Sequence, residues 1–376
     1  MEVQISNNMQ EWESFLIAQK WSPFLQSHTM GEVYQSLGEE PVRLEVREND
    51  QIIGVCQAIA VDARRGKHLA IMYGPILGKH QSPSTNHQIL QMLVEELKRI
   101  GKEKGCAFVR MSPFWQCHAE EAGSILRDDS SLRSESPQDD TPAVSKHDIL
   151  KKLGFRPAPL HMLAEHIWYI NLQGKSENDV LMGMRKTTRN LIRRAEKEGV
   201  TVRRSPNPLS ELDVFFRLYD ETRKRHHFVP YSDEFIRAQV EKFSAKDQCA
   251  LYIAEYNGEP VASSVHMIYG GETSYHHGAS TAKYPKCYAS YLLQWTAIRD
   301  ALKRGDHIYN FWGISPEGVK KHPFAGVRTF KTGFGGELLE LQSCADLPLS
   351  SKYWKTWGLC LFSPSAAAAA SRGVAL

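Results

Sequence analysis

The pattern of apolar and polar positions predicts the same order of elements twice along this chain. Leu251-Tyr-Ile-Ala-Glu-Tyr is a strand-like run that meets Asn257-Gly258, and a second run continues to Tyr269. Asn-Gly between two such runs predicts a two-residue hairpin. Residues 273–278 predict a third strand, 289–303 a helix stopped by Gly305, and 307–312 a further strand. Earlier in the chain, Leu44-Glu-Val-Arg-Glu leads to a turn at Asn49-Asp50 and a strand to Val61. Residues 68–77 then read as the third strand, 89–104 as the helix stopped by Gly105, and 106–111 as the next strand. Glycines at matching points in one shared order indicate a duplicated domain, since solenoid repeats are shorter.

Other segments frame these two copies. Helices are predicted at 9–19 and 23–37, the second with Phe24, Leu25, Val33 and Leu37 facing a core. Residues 119–145 turn to Asp, Ser, Glu, Arg and Pro, the composition of a flexible insertion. A short helix at 146–153 closes on Gly154, and 161–172 reads as a strand. Ser176-Glu-Asn-Asp caps a helix predicted to run unbroken to Glu198, with Gly199 ending it and a strand following at 200–203. Helices at 210–224 and 232–243 precede the second copy; a strand at 338–341, an aromatic segment at 352–362 and a low-complexity tail follow it.

Composition narrows the classes. A chain of 376 residues has apolar material for two cores. Net charge is only +3, so any nucleic-acid surface must be local. The seven cysteines are scattered, form no CxxC pair and have no His at zinc spacing, which leaves structural thiols in a reducing cytosol. The N-terminus has no signal-peptide pattern, and no apolar run approaches the ~20 residues of a membrane helix. The expected location is cytoplasmic.

Two features could carry chemistry. The helix over 181–198 sets Leu181, Met184, Thr188, Leu191, Ile192 and Ala195 on one stripe. Arg185, Lys186, Arg189, Arg193, Arg194 and Lys197 crowd the remaining surface. Such a face is either an ordinary solvated face or a binding strip for a run of phosphates. The second feature is Phe330-Lys331 before Gly333-Phe334-Gly335-Gly336. It matches neither a Walker loop nor a dinucleotide fingerprint. It reads either as a solvent lysine at a glycine turn or as a fixed ammonium beside an aromatic face, suited to a phosphate or a developing oxyanion. His276 and His277, adjacent in a strand, are expected to point to opposite faces. No nucleophile elbow or Ser/His/Asp spacing is present.

The series Phe24-Leu-Gln-Ser, Tyr73-Gly-Pro-Ile-Leu, Leu153-Gly-Phe-Arg-Pro and Met184-Arg-Lys-Thr-Thr-Arg-Asn-Leu-Ile-Arg-Arg-Ala-Glu-Lys-Glu-Gly-Val resembles the FemABX family. So do Tyr291-Leu-Leu-Gln-Trp, Tyr309-Asn-Phe-Trp-Gly-Ile and Phe330-Lys-Thr-Gly-Phe-Gly-Gly. These are aminoacyltransferases of peptidoglycan interpeptide bridges that draw on aminoacyl-tRNA. The resemblance implies an α+β fold of two tandem acetyltransferase-like (GNAT) domains, each a mixed sheet flanked by helices. It places the first domain at 1–160 plus 337–376 and the second at 161–336. Nothing between Gly199 and Leu251 has the length for a coiled-coil arm, so the chain is similar to the armless FemX type. The family's transfer site lands on Phe330 and Lys331. With tRNA as the donor, the charge and spacing of the basic helix make Arg185, Lys186, Arg189, Arg193 and Arg194 the expected contacts for its phosphates. No metal or cofactor is implied. The implied partners are aminoacyl-tRNA and a UDP-linked or lipid-linked muropeptide, with peripheral contact at the inner membrane face.

The chain departs from its relatives at three points. Ser112 and Asn310 stand where acidic residues are frequent, and His28-Thr29-Met30 replaces a common tryptophan. No general base is therefore assigned. Two other functions fit parts of the pattern: an acyl-CoA N-acyltransferase, whose glycine-rich pyrophosphate loop is missing from both copies, and a non-catalytic module that grips RNA or an anionic surface.

Overall fold

The computed structural model describes residues 1–63, 66–78, 82–116, 146–226, 231–318 and 325–361. The expected insertion at 119–145 and the tail after 361 lie outside them. Among the described residues the chain builds an eight-stranded and a seven-stranded mixed sheet. The first runs in the order Glu2–Ile5, Val42–Glu48, Gln51–Ala63, Gly66–Met72, Phe108–Ser112, Ala345–Pro348 and Arg156–Pro157, with Ile76–Leu77 beside Gln51–Ala63. The second runs Glu337–Glu340, His166–Asn171, Ile308–Gly313, Glu272–Ser280, Glu259–Tyr269, Cys249–Tyr256 and Thr201–Arg204.

The internal duplication is visible down to the turns. Both hairpins close through two residues at positive φ, 48° and 61° at Asn49-Asp50, and 53° and 76° at Asn257-Gly258. That geometry matches strand twist, which explains the Asn, Asp and Gly found there. Each hairpin also carries a bulge shortly before its turn, at Val46/Arg47 and at Ala254/Glu255. In each copy the third strand then crosses over through a helix, Pro83–Glu103 or Ala289–Arg304, into a parallel partner. Gly305, at φ 81°, ends the second of these helices as expected.

The two halves share a core. Trp12, Phe24 and Tyr73 of the first belong to one buried cluster with Tyr169, Phe215 and Phe243 of the second. Rings meet across the boundary, Phe24 on Phe243 at 5.6 Å and Trp21 on Tyr169 at 4.9 Å. An interface this apolar resists relative motion of the halves.

Several expectations are corrected. The helix expected over 176–198 is two helices, Glu177–Gly183 and Lys186–Lys197, because Met184 and Arg185 turn extended and the Arg185 N–H bonds the Gly333 carbonyl at 2.9 Å. The element expected at 23–37 is a short 3-10 turn, Phe24–Gln26, then the helix His28–Ser36 capped by the Ser27 hydroxyl. The chain returns to the first sheet later than residue 337. Glu337–Glu340 is an edge strand of the second sheet on His166–Asn171, and only Ala345–Pro348 pairs with Phe108–Ser112. The aromatic segment at 352–362 forms the helix Lys352–Leu361. Cys56, Cys106, Cys249, Cys287 and Cys344 are free and buried. No described helix is long and apolar enough to cross a membrane.

Candidate active site

Where two parallel strands separate, backbone groups lose their partners and a pocket for chemistry can form. In the second sheet, Glu272–Ser274 pair with Ile308–Asn310 and pairing then stops. Glu272–Ser280 stays with Glu259–Tyr269, while Ile308–Gly313 bulges between Asn310 and Gly313 to stay on His166–Asn171. The bulge sets Trp312 in the left-handed region, φ 65°. Its neighbour Gly313 must be glycine, since a Cβ there would lie 2.6 Å from Ala164 Cβ.

Lys331 fills the space between the parting strands. It sits near the end of the helix Ala325–Thr332 and is 8% exposed, so of its two readings the solvent lysine fails. Its Nζ donates to the Gly313 carbonyl at 2.7 Å and lies 5.7 Å from the Tyr275 ring centroid. No carboxylate of the described residues pairs with it. Burial therefore lowers its pKa from 10.5 to about 7. An amine with that pKa exchanges a proton near neutral pH, as catalytic lysines do.

The neighbouring glycines serve packing. A Cβ on Gly333 would meet Thr188 Oγ1 at 2.5 Å, one on Gly335 the Gly183 carbonyl at 2.6 Å, and one on Gly336 the Tyr169 carbonyl at 2.2 Å. The turn is thus wedged between the basic helix and the strand His166–Asn171. Phe330 lies partly buried among Tyr291 and Phe334, edge-on at 5.0 and 5.3 Å.

The five arginines and lysines expected to bind tRNA have different surroundings. Arg185 donates to Thr332 Oγ1 at 2.8 Å, which ties the start of the basic helix to the helix that carries Lys331. Arg189 folds back on the Met182 and Met184 carbonyls and holds the break between the two helices. Arg194 lies 5.1 Å from the Tyr288 ring centroid and pairs with Glu198 at 3.5 Å. Lys186 and Arg193 are exposed and have no ion pair among the described residues. Thr188, Ile192 and Ala195 form the buried side of this helix.

On the other face of the parting strands, a cavity of about 350 Å³ opens between the halves. Tyr34, Leu37 and Met72 line it from one side, Tyr231, Phe235 and His276 from the other. Here the opposite-faces expectation for the histidines fails. A bulge opposite Val265/His266 makes His276 the extra residue, and both rings reach Gln239. The Gln239 amide faces His276 Nε2 at 3.3 Å and its oxygen faces His277 Nε2 at 3.2 Å. Burial keeps both rings neutral, with the His277 pKa lowered to about 3. Trp312 packs on His276 at 5.1 Å, so the cavity wall is one residue removed from Gly313 and from Tyr275.

Sequence reasoning missed Glu272 and Tyr275. Glu272 sits after Gly270-Gly271 and reads there as a turn carboxylate, yet it is buried against Asn310 Nδ2 at 2.8 Å. The carboxylate absent at position 310 is thus present across the strand pair.

Two mixed sheets, each with a helical crossover between parallel strands, define a tandem acetyltransferase-like protein. The solved tandem GNAT protein of clavulanic acid biosynthesis superposes with a TM-score of 0.50 at 8% identity, covering 93% of this chain and 98% of that one. The FemX crystal structure superposes with a TM-score of 0.77 at 16% identity, covering 94% and 99%. The FemAB family model matches residues 8–259 and 238–356, and the chain belongs to that family. It is 21% identical to aminoacyltransferase FemA of Staphylococcus epidermidis over 88% of this chain and 92% of that protein. Against FemA of Staphylococcus aureus strain MRSA252 the figures are 20%, 88% and 91%.

Proposed function

We propose that this chain transfers an aminoacyl group from aminoacyl-tRNA to an amine on the stem peptide of a peptidoglycan precursor, building an interpeptide bridge. The observation that carries this reading is Lys331, a buried amine without a carboxylate partner among the described residues, fixed on a backbone carbonyl between two parting strands. The ester is already activated. Attack by an amine then needs alignment, a place for one proton, and stabilisation of a tetrahedral oxyanion.

Lys331 supplies the last two. As the acceptor nitrogen bonds to the ester carbon, neutral Lys331 takes the proton that nitrogen must lose. The ammonium so formed stands beside the oxyanion. When the bond from carbon to ribose oxygen breaks, the proton passes to that oxygen and the lysine is neutral again. Phe330 packs on the terminal adenosine. Lys186 and Arg193, with Arg185 and Arg194 nearby, meet the tRNA phosphates, while Arg189 holds the helix break that presents them. The acceptor peptide enters through the cavity between the halves, whose wall includes His276, on which Trp312 packs. We read the two sheets as two domains, 1–160 rejoined by the chain from Ala345, and 161–340. A tRNA donor places the reaction in the cytoplasm.

A transfer assay tests this reading. The protein is given charged tRNA pools or acetyl-CoA, with UDP-linked and lipid-linked muropeptides in separate reactions, and products are resolved by mass. A gain of one amino-acid residue that disappears on ribonuclease treatment supports it. An acetyl gain would establish the acyl-CoA enzyme instead, and RNA binding without product the non-catalytic module.

A further inference from the structure

Glu272, 4% exposed, has a set of partners that the transfer reading does not use. It accepts hydrogen bonds from the Trp21 indole of the first half, from the Ser274 hydroxyl and from Asn310 Nδ2, the last at 2.8 Å. The Asn310 side-chain oxygen accepts the Trp312 backbone N–H at 2.7 Å. That bond closes the left-handed turn at Trp312, a conformation that persists in a bulky residue only when its surroundings hold it. The turn aims the next carbonyl, that of Gly313, at Lys331 Nζ. One path of four hydrogen bonds, completed by the backbone from Trp312 to Gly313, thus joins the first half of the molecule to Lys331.

We propose that Glu272 is a positioning residue: it ties Trp21 to Asn310 and so holds the Trp312-Gly313 turn on which Lys331 rests. The proposal builds on the reading that Lys331 serves the transfer. Donor and acceptor polarity make the link specific. In its three bonds Glu272 accepts, and Asn310 donates on one side and accepts on the other. Glu272→Gln would set an amide N–H₂ against other donors. Asn310→Asp would set two carboxylates against each other. Both changes together restore a bond of reversed polarity, with the new amide at position 272 donating to the new carboxylate at position 310.

The test reads Lys331 without requiring activity. Acylation of the Lys331 amine by acetic anhydride is followed against pH by peptide mass spectrometry, beside kcat and KM for transfer. In the wild type the labelling midpoint is expected at about 7. Glu272→Gln should move it upward, towards an ordinary lysine, as water enters around the loosened turn. It should also lower kcat about tenfold or more with little change in acceptor KM. Glu272→Gln with Asn310→Asp should bring both readouts back towards wild type. Trp21→Phe, which keeps a ring against Tyr169, should shift both in the same direction and decides the matter if Glu272→Gln does not fold. Lower melting temperatures with an unchanged labelling midpoint in Glu272→Gln and Trp21→Phe would overturn the proposal. A wild type without transfer activity whose midpoint still moves would reject the transfer reading alone and leave Glu272 as the residue that positions Lys331.

Discussion

Lys331→Met is expected to make the protein more stable and nearly inactive at once. Methionine keeps an unbranched stem of similar reach and removes the amine. Burial pulls the Lys331 pKa from 10.5 to about 7, so holding the ammonium in that site below pH 7 costs the fold about 5 kcal/mol. Leaving the Gly313 carbonyl without its donor costs about 1–3 kcal/mol, so the net gain near pH 6 is about 2–4 kcal/mol. For a chain of this size that raises Tm by roughly 3–5 °C. The sign of the pH dependence follows from the direction of the shift. Between pH 7 and 10.5 the unfolded lysine holds a proton that the folded one has released, so wild-type stability climbs with pH by up to about 1.4 kcal/mol per unit. Below pH 7 this contribution is flat. In Lys331→Met the climb is missing. Transfer should fall about a hundredfold or more with the loss of one oxyanion contact and of the proton carrier. Urea unfolding at several pH values and a transfer assay on the same preparation measure both. Equal or lower stability with an unchanged pH slope would show that Lys331 is not a buried uncompensated amine. Near wild-type transfer would remove it from the site.

Other variants separate the remaining roles. Gly336→Ala forces a Cβ within 2.2 Å of the Tyr169 carbonyl at φ 100° and should destabilise by about 1–3 kcal/mol or more, seen as a lower urea midpoint. Lys186→Gln with Arg193→Gln should weaken tRNA binding and flatten its salt dependence at unchanged Tm; an unchanged salt slope would restore the solvated-face reading. Arg189→Gln should instead lower Tm, because its guanidinium serves the Met182 and Met184 carbonyls. Asp346→Leu leaves the buried Arg110 guanidinium without its two-bond partner and should cost about 3–5 kcal/mol in the same unfolding assay.

What the sequence determined by itself is the set of features that depend on near neighbours. Asn49-Asp50 and Asn257-Gly258 specify their hairpins because only such residues adopt positive φ cheaply, and Gly305 ends its helix for the same reason. Apolar periodicity then showed that strand, strand, strand, helix and strand occur twice. It could not show the break at Met184-Arg185, since the stripe from Leu181 to Ala195 continues in phase and the break is held by a carbonyl at Gly333. Nor could it show that His276 is a bulge residue, because a bulge belongs to a pair of strands. Lys331 and Glu272 are polar residues beside glycines, and residue type predicts exposure for both. Their burial was decided only when the tertiary structure brought together segments remote in sequence. Gly313, Tyr275 and the helix Ala325–Thr332 enclose the amine, and Trp21, Ser274 and Asn310 enclose the carboxylate. Desolvation depends on every atom within a few ångströms, and most of those atoms come from segments whose approach periodicity could not reveal.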